Sequence, residues 1–120
     1  MLVNEAIARV QEVKIRSAWS KGVKEYAMDL LNDASWITDK MRSKSSMKTI
    51  FLNGAENWQE FSYGAMSLIY DEDIAKRLCT PSELRKTKNG MKAPNKREQW
   101  LDVQARALYQ AYDLIIRTCY

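Results

Sequence analysis

Histidine is absent from this chain, and that absence excludes more chemistry than any other feature. It removes His-based triads, imidazole zinc sites and the commonest general base near neutral pH. Cysteine is scarce: Cys79 and Cys119 stand forty residues apart with no CxxC pair. Long apolar stretches are missing too, since no run exceeds three residues where a bilayer span needs roughly 20. The opening MLVNEAIARVQEV interleaves charges with apolar residues where a secretory leader would be continuously apolar. The expectation is a cytoplasmic protein with no membrane partner and reduced, structural thiols, of which Cys119, beside the chain end, should be the more exposed. The rival for the cysteines, a disulfide, would need their Cα atoms within about 7 Å. Four glycines and two prolines exclude collagen-like and linker sequences.

Nucleotide-loop and hydrolase motifs are also missing: there is no GxxxxGKS, GxGxxG, GxSxG or HExxH. Asp71, Glu72, Asp73 and Glu83 form the one acidic cluster worth testing for a metal. Three consecutive helical carboxylates fan over about 200 degrees, however, and helix capping accounts for them. Neither an enzyme nor a cofactor is expected.

What is present is an ordinary globular composition, 46% hydrophobic and 28% charged over 120 residues. A single domain of this mass folds to a surface of roughly 6,700 Å² and buries about two-thirds of what the extended chain exposes, so residues 1–120 suffice for one core without metals or disulfides. The periodicity is helical. Val3, Ile7, Val10, Ile15, Trp19, Val23, Tyr26 and Leu30 make one stripe, with Ser20 as a candidate cap and a joint expected at residues 17–21. Ile37 and Met41 could add a turn, and RSKSSMKT reads as a loop. Residues 50–70 are too aromatic for an exposed linker; Asn53-Gly54 and Gly64 mark turns around a short helix through Trp58 and Phe61, and a short hairpin through FSYG is the alternative.

From Asp71 the signals are more specific. Asp71 caps a helix through Ile74, Ala75 and Leu78, with acids in its first turn and Lys76 and Arg77 in its last. Thr80-Pro81-Ser82-Glu83 opens another, Glu83 reaching back to the cap, and this helix should run to about Lys88 before Asn89-Gly90. Asn95 with Glu98 opens a last helix of about twenty residues on which Leu101, Ala105, Leu108, Tyr112 and Ile115, widened by Trp100, Val103, Ala107, Ala111 and Leu114, make an unusually broad apolar face. The fold class is all-α, a compact bundle of about five helices with this last helix at its centre.

Charge is not evenly spread. Residues 1–40 carry six basic and six acidic side chains, 41–80 five and five, and 101–120 two and two. The net charge of +4 therefore lies in residues 81–100, where Arg85, Lys86, Lys88, Lys92, Lys96 and Arg97 face only Glu83 and Glu98. Such a patch suits the phosphate backbone of a nucleic acid or an acidic protein surface; the alternative is a solvated face. Any base readout would fall to Arg85 or Arg97, because lysine contacts phosphate. DEDIAKRLCTPSELRK also has the outline of a helix-turn-helix, with a polar Thr80 and a charged Arg85 where apolar residues are wanted.

The stretch SYGAMSLIYDEDIAKRLCTPSELRKTKNG followed by PNKREQWLDVQARAL resembles a family of short uncharacterised proteins from gut Firmicutes, their phages and mobile elements, over roughly residues 58–112. The resemblance implies no residue roles. It implies a setting in which small proteins regulate transcription, handle DNA or inhibit host-defence nucleases. Together these readings favour a non-enzymatic nucleic-acid-associated or regulatory accessory protein using the basic patch at residues 85–97. The alternatives are a protein-binding inhibitor of a nucleic-acid-processing defence nuclease and a structural helical module without ligand. A homodimer, which would double the patch, is left open.

Overall fold

The computed structural model describes residues 1–33, 41–52, 55–58, 60–61, 71–86 and 95–120. Among them it is all-helical: α1 (Val3–Gln11), α2 (Ala18–Asn32), α3 (Lys44–Leu52), α4 (Glu72–Leu78), α5 (Pro81–Leu84) and α6 (Lys96–Cys119). The 24 residues of α6 extend about 36 Å at 1.5 Å per residue, close to the 42 Å long axis of the molecule, and every other helix packs on it. Its central position follows from its sequence. Val103, Ala105, Ala107, Leu108, Ala111, Ile115 and Ile116 are all buried, so apolar residues cover nearly its whole circumference.

Cross-helix pairs fix the direction of the neighbours. Trp19 Nε1 donates to Gln110 Oε1 at 2.7 Å and Gln104 Nε2 to the Tyr26 hydroxyl at 3.5 Å, so α2 ascends as α6 descends. The α4 cap runs the same way, with Asp71 N donating to Gln104 Oε1 at 3.4 Å and Lys76 reaching the level of Trp100. Gln104, fully buried, thereby spends both ends of its amide on joining α2 and α4. On the far side Phe51 of α3 stacks on Tyr112 at 4.5 Å between ring centroids, and Phe61 meets Tyr109 and Tyr112 edge-on at 5.8 and 6.2 Å.

Local chemistry sets the helix ends, and several differ from the sequence reading. The joint between α1 and α2 spans residues 12–17, earlier than expected, because Ser17 rather than Ser20 is the cap: its Oγ accepts from Ser20 N. Lys24 Nζ then closes the joint by donating to the carbonyls of Gln11 and Val13 at 2.6 and 3.3 Å. The expected loop RSKSSMKT is largely α3. Ser43 Oγ accepts from Ser46 N, and the buried Met47, Phe51 and Leu52 supply a helical stripe that the surrounding polar residues hide. Residues 58, 60 and 61 are helical, capped by Asn57 Oδ1 on Glu60 N. The described parts of 50–70 thus carry no hairpin; Asn53-Gly54, FSYG beyond Phe61 and Ile37 lie outside the described residues.

Asp71 caps α4 through Asp73 N and Ile74 N, Thr80 caps α5 through Glu83 N, and Asn95 caps α6 through Glu98 N, as the spacing requires. Yet α5 stops at Leu84, with Arg85 as its C-cap, short of the expected Lys88. A helix of one turn is too short to enter a groove as a recognition element, so the helix-turn-helix expectation does not hold. Gly22 of α2 marks a close approach: a Cβ there would stand 2.8 Å from Leu78 Cδ2 of α4. Both cysteines are free, and Cys119 is the buried one, with its Sγ against the Ala6 carbonyl of α1, contrary to the expected order of exposure.

Candidate nucleic-acid interface

Four of the six predicted contact residues fall among the described residues, at two places. Arg85 and Lys86 follow α5, and Lys96 and Arg97 open α6; all four are exposed. Lys88 and Lys92 lie outside the described residues. Lys86 is tied to the core through its backbone, whose carbonyl accepts from Arg106 Nη1 at 3.2 Å. Arg106 is ten residues beyond Lys96 on α6, so the two places are separated by on the order of 15 Å along the helix. That span corresponds to roughly four to five phosphates of one strand at about 3.4 Å per step.

The two places differ in what neutralises them. Lys86 shares the Glu83 carboxylate at 3.5 Å. Arg85 and Lys96 are in no ion pair among the described residues. Some exposed cations elsewhere have acidic partners: Lys76 with Glu72 at 3.3 Å, Arg77 with Glu25 at 4.0 Å and Arg117 with Asp113 at 2.8 Å. Lys96 instead lies over the half-buried Trp100 ring, 5.1 Å from its centroid, and Lys76 reaches the same ring from α4 at 5.8 Å.

Beneath Lys86 sits a buried charged cluster that the sequence reading missed. Arg106, 6% exposed, pairs through Nη2 with Glu83, also 6% exposed. Its guanidinium lies 4.4 Å from the Trp19 ring centroid and 6.0 Å from that of Trp58. Burial pulls the Arg106 pKa below its ordinary value, while the negative charges of Glu83 and then Asp102, one turn earlier, hold it up. An arginine in such surroundings stays protonated. Glu83 is therefore a core ligand of Arg106 rather than the capping partner that Thr80-Pro81-Ser82-Glu83 suggested. The sequence did hold a signal: a helix apolar on nearly every side must bury whatever polar residues interrupt it, and Asp102 and Arg106 are four apart.

The remaining candidate groups have structural surroundings. Asp71 is a cap and Glu72 an ion-pair partner, and no group of three His, Cys, Asp or Glu among the described residues is placed to hold a metal. Burial pushes the Cys79 thiol up to about 12 against the pull of Arg106, so it is a neutral thiol at physiological pH. An open groove of about 500 Å³ between α2, α4 and α5 is lined by Trp19, Lys21, Glu25, Arg77, Glu83 and Lys86 among others, a mixture of both signs. No helix of the described residues is long and apolar enough to cross a membrane. No family model, curated protein or solved structure matches the chain.

Proposed function

We propose that this is a small cytoplasmic, cofactor-free accessory or regulatory protein that contacts nucleic-acid phosphates through Arg85, Lys86, Lys96 and Arg97. The observation that supports this reading is the exposure of all four side chains in the segment that holds the net charge of +4, two of them, Arg85 and Lys96, being in no ion pair among the described residues. Exposed ammonium and guanidinium groups that meet phosphate release its condensed counterions, and this gives affinity without base readout. Origin in phages or mobile elements of gut Firmicutes, as the resemblance implies, belongs to the same proposal.

The test is a variant with Arg85, Lys86, Lys96 and Arg97 all replaced by glutamine. Its helicity should match wild type and its affinity for DNA should be lost; an unchanged affinity would sink the assignment. The second reading, an inhibitor docking on a nucleic-acid-processing nuclease, draws support from the mixed-sign groove, which suits a protein surface better than a polyanion. Tight nuclease binding that persists in high salt would favour it.

A further inference from the structure

We infer that Trp100 is a stacking platform for an unpaired base, flanked by Lys76 and Lys96 as contacts for the adjoining phosphates, so that the ligand is single-stranded nucleic acid. This rests on the nucleic-acid reading above and narrows it. Among the described residues three indoles meet cations, and they do so in two ways. Trp19 and Trp58 face the guanidinium of Arg106, itself buried and paired, so these rings are committed to the fold. Trp100 is half-buried, as those two are, but its two cations belong to exposed lysines from different helices, 5.8 and 5.1 Å from its centroid.

Exposed contacts of that kind are weak and exchangeable. Lys96 is in no ion pair among the described residues, and the partner of Lys76, Glu72, is 57% exposed, as is Lys76, so phosphate can displace it at little cost. An aromatic face with cations beside it is what a single strand needs, because every base has a π-face and every step a phosphate. Arg97, adjacent and exposed, extends the cationic track. A duplex keeps its bases stacked on one another and would have to expel one to use the ring.

The experiment measures anisotropy of a labelled oligothymidylate of about 12 nucleotides, and of a duplex of equal length, against wild type, Trp100→Leu and Trp100→Phe at about 50 mM salt. Wild type should bind the single strand about tenfold more tightly than the duplex. Trp100→Leu should weaken single-strand binding about tenfold while leaving duplex binding unchanged, since stacking on one ring is lost and every charge remains. Circular dichroism checks that the leucine variant is folded; if it is not, the phenylalanine variant carries the test, and an intermediate loss is expected. A duplex preference, or single-strand binding by these variants equal to wild type, would overturn the inference and leave the nucleic-acid reading standing. Binding of neither DNA by wild type would remove that reading, and the inference with it.

Discussion

Arg106 and Arg85 carry the same guanidinium and belong to neighbouring elements, but their surroundings are opposite. Arg106 is 6% exposed, paired with Glu83 and faced by two indoles. Arg85, two residues beyond Glu83, is exposed and in no ion pair among the described residues. The first holds α5 and the Lys86 carbonyl against α6; the second is presented to solvent by that attachment. A count of positive charge therefore overstates what a partner can meet, and what decides is whether each charge already has a ligand inside the protein.

The contrast breaks most visibly at Arg106. Arg106→Met should cost about 3–5 kcal/mol in urea unfolding, because it leaves the Glu83 carboxylate buried without its counter-charge. Adding Glu83→Gln should recover much of that loss, since removing both partners of a buried pair is far milder than removing one. A single variant as stable as the double would mean that the pair is solvated. Leu108→Ala, at a side chain 1% exposed, should cost about 2–5 kcal/mol by the same measurement. Removing the α6 cap with Asn95→Ala should cost about 1 kcal/mol, seen as a small fall in melting temperature. At the other extreme, Arg85→Gln and Lys96→Gln should each change stability by less than about 0.5 kcal/mol. If either destabilised the fold as Arg106→Met does, the division between structural and available charge would fail.

How much of this was legible in the sequence depended on the kind of signal. The caps at Asp71, Thr80 and Asn95 were readable because capping is local chemistry within four residues, and α6 was readable because its apolar face is broad. The joint before α2 was misplaced since Ser17 and Ser20 are equally plausible caps locally, and tertiary packing of Trp19 and Val23 on α6 chooses between them. The α3 helix was hidden by a run in which Met47 is the lone apolar residue before Ile50. Glu83 was assigned to its cap because its real partner, Arg106, is 23 residues away and spacing does not show contacts of that range. The basic segment was readable as charge, but the sequence did not reveal that Trp100 receives Lys76 from another helix.

The most direct test of the central claim is the salt dependence of DNA binding by the wild-type protein, measured by anisotropy at about 50 and 200 mM salt. Four phosphate contacts predict a loss of affinity of roughly 50- to 150-fold between those conditions, the smaller figure for a single strand. Binding absent at the lower salt, or present and insensitive to salt, would contradict the account.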